Sequence, residues 1–191
     1  MGFFEALLGG KRKVQAPAPD RIFAMTTAQI AIETELGLKH TSAAGIVFQP
    51  LATADFSGIL AETDELLRSA AADTGTKVES AEDEFGYRWV ILRDADFEDL
   101  VVSLNTVSTQ LQGGGYGDRL LACVFAFERD GGGRVYFIYN FKRGAFYPFV
   151  PAAGEKQRDN EQELRLQAQH SQELPFEQDL SRWFPLWQIP L

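Results

Sequence analysis

Three features of this chain predict an α+β fold, with a mostly antiparallel sheet packed by amphipathic helices in a single-domain α/β sandwich. The first is residues 119–151, whose apolar stretches are broken by Asp130-Gly131-Gly132-Gly133 and by Lys142-Arg143-Gly144. Aspartate followed by glycines supplies the positive φ angles of tight hairpin turns, so consecutive strands here pair antiparallel. The second is that residues 120–127 are apolar on both alternating faces, so the strand they form needs cover on both sides. The third is a set of helical stripes placed between strand-like runs. Such stripes are the natural cover for a sheet.

The elements follow in order. Thr26 or Thr27 is positioned to cap a first helix that ends at Gly37, with Ile32 and Leu36 one turn apart. Residues 45–50 contain Ile46-Val47-Phe48 and read as a short strand. Thr53 or Asp55 caps a second helix with apolar positions at Phe56, Ile59, Leu60, Thr63, Leu66, Leu67 and Ala70, and Gly75 ends it. Residues 77–84 are acidic and alternate weakly, as in an exposed edge strand or loop whose charges deter edge pairing. Residues 87–93 (YRWVILR) form a strand, and Asp94-Ala95-Asp96 opens a third helix with its stripe at Phe97, Leu100, Val101, Leu104, Val107 and Leu111. Gly113-Gly114-Gly115 closes that helix. The meander then occupies residues 120–127, 135–141 and 146–150, and Pro148 confines the last piece to a sheet edge.

Beyond Pro151, residues 152–171 are polar, with a thin seam at Leu164 and Ala168 that predicts a solvent-facing helix. The terminal stretch, residues 174–191, is aromatic and broken by Pro175, Pro185 and Pro190, which forbid one long helix. Its Trp183, Phe184 and Trp187 have two readings, as partner-contact anchors or as a plug for one end of the core. Self-packing is favoured, because several exposed large aromatics invite aggregation.

The division expected is residues 1–19 as a short amphipathic segment with a Pro/Ala linker, and residues 20–191 as one α+β domain with an aromatic C-terminal tail. In the first segment Phe3, Phe4, Leu7 and Leu8 share one side of a short helix, and Lys11, Arg12 and Lys13 follow. Apolar side chains beside a basic cluster suit an interfacial membrane anchor. The plainer readings are a frayed terminus or a helix docked on its own domain. Gln15-Ala16-Pro17-Ala18-Pro19 is a semi-rigid spacer.

Composition sets outer bounds. A chain of 191 residues with 45% apolar residues and 15 phenylalanines has one well-filled core and is not disordered. A net charge of −9 argues against a phosphate-backbone binder, so no nucleic-acid partner is expected. The single cysteine excludes an internal disulfide and a cysteine-based zinc site, and it fits a reducing compartment. No apolar run approaches the ~20 residues of a membrane-spanning helix. The expected location is the cytoplasm, with peripheral contact at the inner face of the cell membrane as an alternative.

No motif defines an active site. Asp94, Asp96, Glu98 and Asp99 form the densest carboxylate cluster, yet helix N-termini attract carboxylates without any metal. The Gly113–Gly117 stretch follows a helix and precedes a strand, the reverse of a phosphate loop. His40 and His170 lack metal-ligand spacing, Cys123 sits inside an apolar strand, and Glu82 with Glu84 reads as a solvated edge. No catalytic residue, metal ligand or cofactor is therefore expected.

Three stretches, GYRWVILRDADFEDLV (86–101), VYFIYNFKRGAFYPF (135–149) and ELPFEQDLSRWFPLW (173–187), together with the opening MGFFEALLG, resemble the bacterial PspA-associated protein family PspAB. The resemblance covers essentially the whole chain. It implies a role in the phage-shock envelope-stress response through contact with a protein partner, PspA or a related component. It transfers no functional residue. The function expected is thus a non-enzymatic adaptor or regulator. The alternatives are a membrane-peripheral sensor using residues 3–13, or a small-ligand-binding domain. The partner or membrane contact candidates are Phe3, Phe4, Leu7, Leu8, Lys11, Arg12, Lys13, Trp183 and Trp187.

Overall fold

In the computed structural model, residues 19–191 are described. A 3-10 turn, Pro19–Phe23, leads directly into helix α1, Ala24–Leu36. Strand β1 is Leu38–Phe48, and helix α2 is Ala54–Thr74. Strands β2, Lys77–Glu82, and β3, Arg88–Arg93, make a hairpin, and helix α3 is Phe97–Gly113. The meander follows as β4, Leu120–Arg129, β5, Arg134–Asn140, and β6, Ala145–Phe149. Helix α4, Asn160–Gln169, precedes the terminal stretch.

The six strands form one antiparallel sheet in the order β2-β3-β1-β4-β5-β6. Its register assigns each side chain to a face. The row Leu92, Ala44, Phe125 and Phe137 runs across the sheet and joins the buried stripes of α1, α2 and α3. The adjacent row, Ile91, Gly45, Val124, Ile138 and Tyr147, faces the opposite way. That second face carries its own apolar layer, completed by Trp183 and Leu186 with Trp187, Ile189 and Leu191 packed against them.

The predicted α+β class and antiparallel sheet are present, and two features differ from expectation. Helices were expected on both faces, whereas α1, α2 and α3 cover one face and residues 183–191 cover the other. The reason is chain economy. Alternating apolar residues demand cover on both sides, but any apolar segment supplies it, and the proline-broken tail does so in irregular form. Secondly, the short strand expected at residues 45–50 is an 11-residue strand, Leu38–Phe48, near the sheet's centre. Its first half, Leu38 to Ser42, is mostly polar, and it is interrupted where the register shifts between His40 and Ala44. Ser42 adopts a φ of 55° there. A bulge of this kind hides the alternation that marks a strand.

Smaller corrections have local causes. Helix α1 begins before Thr26, running on from the 3-10 turn with no side-chain cap at Phe23. The α2 stripe is narrower than predicted, because Leu66 and Ala70 are exposed while Phe56, Thr63 and Leu67 are buried. Helix α4 turns inward on Glu163 and Leu166, whereas Leu164 and Ala168 face outward. The buried glutamate is why its inward face did not read as apolar. The other signals match closely. Thr53 caps α2, Gly75 ends it with a φ of 85°, Asp96 caps α3, and every stripe residue of α3 is buried.

The β6 edge is closed by the chain itself. The amide of Phe146 donates to the carbonyl of Pro175, and the amide of Glu177 donates to that of Phe146, both at 2.8 Å. Phe176 thereby forms a parallel bridge to β6 at the edge strand that carries Pro148.

Candidate functional site

Asp94, Asp96 and Gly114 have structural occupations. Asp96 accepts from the Glu98 amide at 2.8 Å, and Asp94 accepts from the Asp96 amide at 2.8 Å and from the Thr76 hydroxyl at 2.5 Å. Gly114 caps α3 through the carbonyl of Gln110. Cys123 is fully buried, and burial holds its thiol well above the ordinary range. His170 is fully buried at the end of α4, and His40 lies 4.0 Å from Glu33. Among the described residues no group of three or more His, Cys, Asp or Glu side chains is arranged to hold a metal ion.

A well-formed concave feature lies on the tail-covered face. It is a recess of about 510 Å³ lined by Asp83, Glu84, Phe85, Trp89, Glu155, Lys156, Pro185, Leu186, Trp187 and Gln188. Three chain segments build it: the β2–β3 hairpin, the loop between β6 and α4, and the tail. Its volume falls within the range of small-molecule pockets.

Each wall is fixed by a distinct set of bonds. In the hairpin, the Asp83 carboxylate accepts from the amides of Phe85 and Tyr87 at 3.0 and 2.9 Å, and from the indole nitrogen of Trp89 at 3.3 Å. The turn closes at Gly86, whose φ of 78° suits glycine. One aspartate thus shapes the turn and orients the Trp89 ring. On the opposite wall, the Arg158 guanidinium donates to both carboxylate oxygens of Glu163, at 3.0 and 2.9 Å from Nε, and to the Trp183 carbonyl at 2.6 Å from Nη1. Glu163 also accepts from the Val150 amide at 2.8 Å. Burial raises the pKa of the Glu163 carboxyl, with Arg158 and the Val150 amide opposing that shift.

The tail is pinned at two further points. The Trp183 indole donates to the Glu177 carbonyl at 2.9 Å, and the Tyr147 hydroxyl donates to the Phe184 carbonyl at 3.0 Å. Trp187 meets the Phe149 ring edge-on at 5.2 Å between centroids. The last residue, Leu191, rests over Gly45, where an added Cβ would come within 3.2 Å of its Cδ2. Gly45 is the sheet position that leaves room for the tail to lie flat.

The recess joins an apolar floor to an acidic rim. Trp89 and Leu186 are buried, Trp187 is half-buried, and Phe85 is 59% exposed at the lip. Asp83, Glu84 and Glu155 outnumber the single cation, Lys156. Glu84 and Glu155 are exposed and form no ion pair among the described residues. Lys156 and Gln188 hold φ values of 52° and 61°, so two of the wall residues sit in the left-handed region without being glycine. That conformation costs about 1 kcal/mol per residue and persists where the surroundings fix it. An aromatic floor with carboxylates at its edge suits an apolar group that carries positive charge.

The predicted contact residues therefore divide. Phe3, Phe4, Leu7, Leu8, Lys11, Arg12 and Lys13 lie outside the described residues. Trp183 is buried at 5% exposure, bonded through its indole within the chain, and is core rather than surface. Trp187 lines the recess. Glu84 lines it too, whereas Glu82, raised beside it, does not. Phe85, Trp89, Glu155 and Lys156 were missed. The one available signal was Phe85, a large aromatic set in an otherwise acidic turn.

The fold and this recess define an α+β sheet protein with a concave surface walled in part by its own C-terminal tail. The chain belongs to the PspAB family: the family described as PspA associated protein B matches residues 1–191, the whole chain. No curated protein and no solved structure matches it. No helix among the described residues is long and apolar enough to cross a membrane.

Proposed function

We propose that this protein is a non-enzymatic adaptor or regulator of the bacterial envelope-stress (phage-shock) response, acting by direct contact with PspA or a related component. The observation that carries this reading is the family match over the full chain, whose description names association with PspA. The recess supports it in kind. Its walls are held by the Asp83 turn, the Arg158–Glu163 bridge and the Tyr147 hydroxyl, so it is formed before any partner arrives. Preorganisation lowers the ordering cost of binding.

Titration of the purified full chain with purified PspA, followed by calorimetry, tests the reading. A saturable complex with a Kd of about 10 µM or tighter is expected. Absence of heat and of co-migration at concentrations several times higher would overturn direct contact with PspA.

A further inference from the structure

We propose that the recess on the tail face is the docking site for this chain's own residues 3–13. This inference goes beyond the adaptor reading: it concerns an intramolecular contact at the recess that reading also invokes, and its test needs no partner.

The argument starts from complementarity. The recess offers an apolar floor of Trp89, Leu186 and Trp187 under a rim where Asp83, Glu84 and Glu155 outnumber Lys156. Residues 3–13 offer the reciprocal pattern, with Phe3, Phe4, Leu7 and Leu8 followed directly by Lys11, Arg12 and Lys13. Large apolar side chains gain by leaving water for such a floor. Three consecutive cations then fall beside exposed carboxylates that have no partner of their own among the described residues.

Reach is sufficient. The Arg21 guanidinium donates to the Gly144 carbonyl, which places the start of the described chain at the β5–β6 turn. That turn lies at the same end of the sheet as the β2–β3 hairpin, because Asn140, Ala122, Val47 and Trp89 share one register row. Four strand spacings separate β3 from β6, roughly 19 Å. Residues 9–18 span up to about 35 Å when extended, enough to cross that distance and pass to the other face. The prolines at 17 and 19 favour such an extended spacer. When docked, the segment covers the floor and its own apolar side chains are withheld from any membrane or partner surface.

The test uses the full chain with Phe4 replaced by the photo-reactive residue benzoylphenylalanine. Irradiation is followed by peptide mapping, and monomer is separated from cross-linked dimer. Cross-links within one chain to residues 83–89 or 185–188 are expected. The exposed double variant Glu84→Lys/Glu155→Lys should lower their yield about tenfold, since two attractive rim charges become repulsive. Raising the salt should lower the yield in the wild-type background as well. Cross-links concentrated on another surface, or between two chains, overturn the proposal. So does a background yield, which is the result if a partner segment or a small molecule is the true occupant. A yield unchanged in the double variant overturns the assigned site.

Discussion

Replacing Trp183 by alanine separates the two readings of the tail. The side chain is 5% exposed, packs in the apolar layer of the tail face, and donates from its indole to the Glu177 carbonyl at 2.9 Å. A buried tryptophan removes about 200 Å² from water, which at about 25 cal/mol per Å² contributes roughly 5 kcal/mol as an upper figure. Measured truncations of buried aromatics cost about 3–5 kcal/mol, and the Glu177 carbonyl loses its shorter donor, keeping only the Gln167 side-chain amide at 3.4 Å. We therefore expect Trp183→Ala to destabilise the chain by about 4 kcal/mol, a large share of a typical 5–15 kcal/mol total. Urea denaturation followed by far-ultraviolet circular dichroism reads this directly. For a slope of about 2 kcal/mol per molar, the midpoint drops by about 2 M. A drop below about 0.5 M would refute the reasoning, because it would mean that the tail lies on the sheet without stabilising it. Trp183→Phe keeps most of the apolar burial and should recover over half of the loss.

Three further predictions come from the same structure. Arg158→Met leaves the buried Glu163 without its cation and should cost about 3–5 kcal/mol in urea denaturation, whereas Arg158→Met/Glu163→Gln, which keeps an acceptor for the Val150 amide, should cost clearly less. Equal losses would show that the bridge is not the source. Tyr147 is buried with its pKa pushed far above the ordinary tyrosine value, mainly by desolvation. Below about pH 10 its contribution to stability is fully present; above that the unfolded chain releases the proton and the native chain does not, so stability falls by about 1.4 kcal/mol per pH unit until the native pKa is reached. Denaturation midpoints between pH 9 and 11.5 should fall less steeply in Tyr147→Phe, and parallel slopes would contradict the assignment. Thr53→Ala removes the side-chain cap on the Phe56 amide at the start of α2 and should cost about 1 kcal/mol, with Thr53→Ser nearly neutral by the same measurement.

Particular elements show why parts of this fold could be read directly. Helix α3 was legible because its stripe is apolar at every inward position except Ser108 and its ends carry an aspartate cap and a glycine stop. The β4–β5 hairpin was legible because Gly131, Gly132 and Gly133 all take positive φ, as their composition foretold. Strand β1 was half hidden, since its bulge at Ser42 breaks the alternation and its small residues gain strand character only from neighbours on both sides. Helix α4 was misread because one inward position is a glutamate, acceptable there only because Arg158 and the Val150 amide meet it.

The candidate site was less legible than the fold. Its lining comes from residues near positions 85, 155 and 187, which share no local pattern. Trp183 and Trp187 look equivalent in the chain, yet one is buried in the core and the other lines the recess. Their difference arises from where Arg158 and Tyr147 hold the intervening backbone.

The linear chain by itself determined the fold class, the meander hairpins, the ends of α2 and α3 and the need for cover on both sides of the β4 strand, because these depend on local periodicity, turn chemistry and capping. Only the tertiary structure decided what supplies that cover on the second face, which tryptophan is buried, and where a recess opens. Those outcomes depend on contacts between residues far apart in the chain, such as Leu191 over Gly45, and no local pattern encodes such pairs.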